Sequence, residues 1–276
     1  MNYSCKIVLN KVCKIFMSYL KTLSYQSFLK SPYKSIKHTT YFEVYDDLFT
    51  KFRNKKIIFV EIGVLNGGSL FMWRNFFGPG ATIIGIDLNP EAKKWEKHGF
   101  KIFIGDQSDV NFWKKFKKQV GFVDIILDDG GHKYNDQIIS TECMIKNIKS
   151  NGMIVIEDTH SSYMDGFGNK KYSFINYIKN KIDKMNYRFH RLNKKKSENN
   201  FWSLRIYESI VAICINNNFE ITKSMPISNN GIDSNAEDIR VKKNFHKFNY
   251  LSKFFIFIYS KFFNFKKKID IKKYFD

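Results

Sequence analysis

Proline is almost absent from this chain, with 4 in 276 residues, and cysteine is as sparse, also with 4. The cysteines (Cys5, Cys13, Cys143 and Cys214) form no CxxC pair and no metal-ligand spacing, which leaves unpaired thiols in a reducing compartment as the simple reading. Long apolar runs are missing as well. Lysines interrupt every apolar run near the N-terminus, so no secretory signal is expected. The longest uninterrupted apolar stretch of the tail, Phe254 to Tyr259, is far too short to span a bilayer. A soluble, cytoplasmic protein is the expectation. Acidic residues are also in deficit, since 26 Asp and Glu face 46 Lys and Arg, a formal net charge of +20.

That charge points to nucleic acid or a membrane surface as one reading. Coding bias is the competing one, because Lys, Asn, Ile, Phe and Tyr are enriched together, as an AT-rich gene would dictate. The excess lies mostly in the N-terminal arm, around Lys194-Lys195-Lys196 and in the C-terminal tail. It remains suited to an anionic partner, either a phosphorylated substrate or a membrane.

With 43% hydrophobic residues the chain is long enough for one α/β core with decorations. Three zones separate. Residues 1–55 carry apolar residues at helical spacing, first Ile7, Val8, Val12, Ile15, Phe16 and Tyr19, then Tyr41, Tyr45, Leu48, Phe49 and Phe52. The second would set one aromatic-rich face against a core; the simpler expectation is that these are peripheral helices covering the sheet edge. Residues 56–222 alternate helical patterns with short β-branched runs: IIFVEI from Ile57, TIIGID from Thr82, KIFIGD from Lys101, VDIILDD from Val123 and MIVIED from Met153. Such runs fit parallel strands covered on both faces. SLRIYESIVAIC from Ser203 and FEIT from Phe219 flank Asn216-Asn217-Asn218, which reads as a hairpin turn. Residues 223–276 form a basic aromatic tail, suited to helix packing, a subunit contact or the membrane surface.

Five parallel strands followed by a hairpin are the strand plan of class I methyltransferases. The expected fold is therefore α/β and Rossmann-like: a seven-stranded, mostly parallel sheet with a C-terminal antiparallel hairpin, helices on both faces and extra N-terminal helices. In such sheets ligands bind beyond the carboxyl ends of the strands. Four of the five runs end in an acidic residue, and the first carries Glu61 one residue before its end.

After the first strand comes EIGVLNGGS, with Glu61, Gly63, Gly67, Gly68 and Ser69. Its glycines allow close backbone approach to a ligand at a helix start. Leu65 stands where a dinucleotide fingerprint wants its second glycine. A carboxylate at Glu61 suits the amino group of S-adenosylmethionine. Asp87 ends the second strand, where an acid accepts from ribose hydroxyls. Asp106 and Gln107 end the third, beside the expected adenine. Each acid alone reads equally well as a helix N-cap. The fourth and fifth strands end in DDGGH (Asp128 to His132) and EDTH (Glu157 to His160). So many carboxylates in one crevice repel unless compensated, either by a hard divalent cation or by a hydrogen-bonded capping network.

These segments together, EIGVLNGGS, GIDLNP, GDQSD, ILDDGGH, IEDTHSSY and IYESIVAI, resemble the metal-dependent sugar O-methyltransferases of macrolide biosynthesis. Cephalosporin hydroxylase-like sequences and methyltransferases of polysaccharide loci share the pattern. The resemblance runs from about Lys37 to Ile215 and includes HTTYFEVY at His38; Gly131 stands where that group commonly has Ser. It implies Asp129, Glu157 and Asp158 as magnesium or manganese ligands and His132 as general base. It also implies Glu61, Gly63, Gly67, Ser69, Asp87, Asp106, Gln107 and Asp128 around S-adenosylmethionine. His160 and Tyr163 are assigned to the acceptor. The expected reaction is methyl transfer to a sugar hydroxyl. The basic surface favours a nucleotide-activated acceptor, a heptose among the candidates, destined for a bacterial capsule or surface polysaccharide. A homo-oligomer is the default assembly. The alternatives are a nucleic-acid methyltransferase, which lacks an NPPY-type motif here, and a basic membrane-surface protein, which leaves DDGGH and EDTH unexplained.

Overall fold

The computed structural model describes residues 18–186, 201–217 and 227–232. The chain divides into two units at Met225 and Pro226, and every element below belongs to the first. The predicted helix around Ile7 to Phe16, Lys194 to Lys196, the FEIT run and, apart from residues 227–232, the basic tail lie outside the described residues.

Two short helices, α1 (Leu23–Leu29) and α2 (Tyr41–Phe49), precede the sheet. Then follow β1 (Ile58–Ile62), α3 (Gly68–Phe77), β2 (Thr82–Asp87), β3 (Lys101–Ile104), α4 (Val110–Val120), β4 (Val123–Asp128) and α5 (Tyr134–Met144). The last elements are β5 (Ile148–Ile156), α6 (Phe174–Asn186), β6 (Phe201–Tyr207) and β7 (Ile210–Ile215). Between β2 and β3 the crossover is a 3-10 segment, Pro90–His98, opened by Pro90 and capped by the Asn89 side chain on Glu91 N.

The strand order is β3-β2-β1-β4-β5-β7-β6. β1 to β5 run parallel, and β7 runs antiparallel to both β5 and β6. This is the class I methyltransferase fold expected from the sequence. The order reverses at β1 and β4, which places the ligand crevice beyond their carboxyl ends.

Period-two alternation sorts β1 between two cores. Phe59 joins Tyr45, Phe49, Trp73 and Phe77 on one face, while Val60 and Ile62 join Trp113, Phe116 and Phe174 on the other. Helices therefore cover both faces. α2 covers a face rather than the sheet edge, which corrects the expectation for the N-terminal helices. Its apolar stripe is too wide for an edge contact, since Tyr41, Phe42, Val44, Tyr45, Leu48 and Phe49 are all buried. Each such aromatic contributes roughly 2–3 kcal/mol by leaving water.

Two strand boundaries differ from expectation. β5 starts at Ile148 rather than Met153, because Ser150-Asn151-Gly152 is absorbed as a bulge with Asn151 at φ 68°. The hairpin turn is at Glu208-Ser209, not Asn216 to Asn218, so the SLRIYESIVAIC run folds back on itself. The turn carries no Gly or Asn to announce it; Ser209 takes the left-handed conformation at φ 63°. Asn217 instead ties the end of β7 to β5, donating to Ile148 O at 3.1 Å and Ser150 Oγ at 3.2 Å. Among the described residues no helix is long and apolar enough to cross a membrane.

Candidate active site

The loop from β1 to α3 is shaped by two left-handed glycines. Gly63 has φ 89°, and a Cβ there would sit 2.1 Å from Asp129 O, so the ends of β1 and β4 touch through this position. Gly67 has φ 73° and lies against the Trp95 ring, 2.3 Å from where a Cβ would be. Asp87, at the end of β2, fixes the loop: its carboxylate accepts from Val64 N at 2.8 Å, Leu65 N at 3.0 Å and Asn89 N at 2.8 Å.

A cavity of about 450 Å³ opens beyond these strand ends. Gly63, Ser69, Asp87, Asp106, Gln107, Asp129 and His132 line it. Glu61, Gly67 and Asp128 do not; they stand behind the wall. Glu61 is fully buried, and its carboxylate accepts from Ser69 Oγ at 2.8 Å and Trp73 Nε1 at 3.0 Å. Burial pushes its carboxyl up to about 7, against the pull of the Lys37 ammonium. Asp128 is buried too, and burial raises its carboxyl, while donors from Ser140, Gln107 and Gly130 oppose the rise. Gln107 braces the wall: Nε2 donates to both Asp128 oxygens at 3.0 Å, and Oε1 accepts from Gly131 N at 2.9 Å. Asp106 accepts from Ser108 N and Oγ, both at 2.7 Å. The helix-cap reading belongs to Asp109, which caps α4 on Asn111 N.

The ends of β4 and β5 bring Asp129, His132, Glu157 and Asp158 together. His132 (φ 55°) and Asp158 (φ 54°) both hold the left-handed conformation, uncommon for residues with a Cβ and concentrated at functional sites. His132 Nε2 lies 3.3 Å from Asp158 Oδ2 and 4.0 Å from Asp129 Oδ1, while Nδ1 is buried without a partner. Asp129, His132 and Asp158 each offer a ligand atom, all within 4.8 Å of one another.

Three further residues enter from the N-terminal segment, and sequence reasoning missed their role. The Lys37 ammonium lies 2.5 Å from Asp129 Oδ2 and 2.9 Å from Glu157 Oε2. Burial alone would lower its pKa, but the Asp129 and Glu157 carboxylates outweigh that and hold it well above the ordinary lysine value. The Tyr45 hydroxyl donates to Glu157 Oε1 at 2.5 Å, and the Tyr41 hydroxyl donates to Asp158 Oδ1 at 2.5 Å. The signal available was the position of Tyr41 and Tyr45 on the buried stripe, where a phenolic hydroxyl needs a partner. His160 Nδ1 meets Ser209 Oγ at 2.5 Å, and its ring lies beside His38 at 6.3 Å. Tyr163 is 70% exposed, on the 3-10 turn Thr159–Tyr163.

No protein-family model matches the chain. It is 34% identical over 131 residues to mycinamicin VI 2''-O-methyltransferase of Micromonospora griseorubida, covering 45% of this chain and 32% of that protein. With demethylmacrocin O-methyltransferase of Streptomyces fradiae it shares 32% over 131 residues, 45% of this chain and 33% of that protein. Among solved structures it superimposes on the MycE methyltransferase of the mycinamycin pathway, in complex with Mg, SAH and mycinamycin VI. That match has a TM-score of 0.63 and 27% identity, covering 74% of this chain and 54% of that one. The matched stretch thus spans about a third of the length of these curated relatives. By motif, sequence and fold together, this chain is akin to the sugar O-methyltransferases of macrolide and polyketide biosynthesis.

Proposed function

We propose that the protein is an S-adenosylmethionine-dependent O-methyltransferase acting on a sugar hydroxyl with a magnesium or manganese ion. One observation carries this reading: an imidazole and two partly exposed carboxylates converge within 4.8 Å at one end of a cavity large enough for the cofactor. The oxygen-rich donor set fits a hard divalent ion. Asp129 and Asp158 would hold it, with Glu157 completing the set; bound there, it would acidify a sugar hydroxyl as a Lewis acid.

The chain's own residues would then do the following. Gly63 and the Asp87-braced loop would leave the space that S-adenosylmethionine needs, and Asp87 and Asp106, which line the cavity, would serve its ribose and adenine. Gln107 holds the wall beside Gly131 in place. His132 would take the hydroxyl proton at Nε2, the nitrogen that lies 3.3 Å from Asp158 Oδ2 and 4.0 Å from Asp129 Oδ1. Orienting the hydroxyl in line with the methyl group accounts for much of the remaining rate. His160 and Tyr163 flank the open side, where the acceptor would lie.

The acceptor in this proposal carries phosphate, as a nucleotide-activated sugar for a surface polysaccharide does. Supporting this is the basic balance of the chain, 46 Lys and Arg against 26 Asp and Glu. The test is calorimetric titration of S-adenosylmethionine with and without manganese, followed by turnover on nucleotide-activated sugars and on sugar glycosides. Cofactor binding with metal-dependent methylation of the former is expected. Absence of cofactor binding under every metal condition would overturn the reading. Methylation of glycosides alone would overturn only the phosphate-bearing acceptor.

A further inference from the structure

Lys37 is the member of the carboxylate cluster that the proposed reaction leaves without a task. Its side chain is 2% exposed, and its ammonium bridges Asp129 and Glu157 while lying 5.8 Å over the Tyr45 ring. Those are two of the three carboxylates proposed to hold the divalent ion. An ammonium there meets the same electrostatic need, because it compensates carboxylates that would otherwise repel each other. Yet ion and ammonium cannot share both oxygens. At contact distance in a buried site, their repulsion is poorly screened.

The segment that carries Lys37 is built to let it go. Between α1 and α2 the chain has no helix or strand around Lys37, and Ile36, His38, Thr39 and Thr40 are exposed. Withdrawing the side chain therefore unpacks no element of the core. The same segment forms part of the cofactor wall through Lys34, Ser35 and Ile36.

We propose that Lys37 is a resident counter-cation: it holds Asp129 and Glu157 together before the metal arrives and leaves them when the metal binds. This rests on the metal-dependent reading above. Displacing Lys37 costs binding energy, so the wild-type protein holds its ion more weakly than the carboxylates alone would. The device also keeps Glu157, otherwise a buried carboxylate, compensated in the metal-free protein.

The test is manganese binding, read by electron paramagnetic resonance of the free ion at mildly alkaline pH without cofactor. Lys37→Met keeps the length and apolar stem of the side chain and removes the charge. It should bind manganese on the order of tenfold or more tighter than wild type, while Lys37→Arg should not. Equal or weaker binding in Lys37→Met overturns the proposal and leaves metal dependence standing. No binding to any of the three proteins overturns both. Because Lys37→Met leaves two carboxylates without a cation, wild-type protein supplies a second readout that does not depend on its folding. Lysine acylation followed by mass spectrometry should find Lys37 protected without metal and reactive with it. Lys181, buried against Glu142, serves as the internal control. Unchanged protection of Lys37 at saturating manganese also overturns the proposal.

Discussion

Glu61 should make the protein less stable as pH rises through neutrality, and glutamine in its place should remove that dependence. The carboxyl has no exposure and receives two donors, Ser69 Oγ and Trp73 Nε1. Burial raises it from the ordinary 4.5 to about 7. In the unfolded chain the group loses its proton near the lower value, whereas the folded chain keeps it to the higher one. Between them the folded state binds more protons, so stability falls as pH rises, and the full cost is in place above about 7. The shift corresponds to about 3 kcal/mol. Glu61→Gln is neutral throughout and keeps both contacts: the indole donates to the amide oxygen, and the Ser69 hydroxyl turns to accept from the amide nitrogen. Urea unfolding across pH should show the two proteins alike at or below about pH 4, and the variant about 3 kcal/mol more stable near pH 8. At about 2–4 °C per kcal/mol, that is roughly 6–12 °C in Tm. Since Glu61 stands behind the cavity wall, cofactor affinity should change by less than about tenfold, whereas a lost contact to a charged amino group costs more. A variant less stable than wild type by the same margin at both pH values would refute the reasoning, because Glu61 would then be ionised and stabilising.

Four substitutions separate framework from chemistry. His132→Ala should abolish methyl transfer while leaving cofactor affinity within a few-fold, read by calorimetry beside turnover; unchanged turnover sinks the base assignment. Gln107→Leu strips two donors from buried Asp128 and orphans Gly131 N–H, so a loss of about 2–4 kcal/mol in urea unfolding is expected. Gly67→Ala meets the Trp95 ring at 2.3 Å in addition to the left-handed backbone cost of about 1–2 kcal/mol. Gly99→Ala, at φ 83° and ψ 13° with only Arg74 Nη2 near its Cβ at 3.9 Å, should show the backbone cost alone. Similar losses at the two sites would mean that the loop yields to the ring.

The strands and their acidic ends were legible because a buried parallel strand leaves an unbroken β-branched run, and the run stops where the sheet stops. Asp87, Asp106, Gln107, Asp129 and His132 follow from that rule and line one cavity. Glu61 sits one residue short of the strand end and shares the face of Phe59, so alternation turns it toward Trp73 and away from the ligand. The hairpin was legible in kind but not in place. Three asparagines outweigh Glu208-Ser209 by composition, yet the backbone of Ser209 makes the turn. Lys37, Tyr41 and Tyr45 were hidden for a different reason. Helical periodicity identifies a buried face but is silent about the hydroxyl at the tip of a buried ring, and a lysine ahead of the helix carries no period at all.

Those three residues explain how three of the four adjacent carboxylates are tolerated, and the four divide by role. Asp128 is enclosed and met by neutral donors from Gln107, Ser140 and Gly130, an arrangement that builds the wall. Glu157 is as deeply buried, with one oxygen on Tyr45 and the other on Lys37. Asp129 and Asp158 alone keep part of their surface, 24% and 21%, and the His132 side chain beside them keeps 27%. An incoming hydroxyl or ion can therefore reach Asp129, Asp158 and His132 without opening the core, and can reach Glu157 only past Lys37. A motif in which all four acids look alike thus resolves into one that builds the wall, one that Lys37 screens and two that stand partly open. Much of the sorting comes from α2 and the segment ahead of it, neither of which the strand pattern includes.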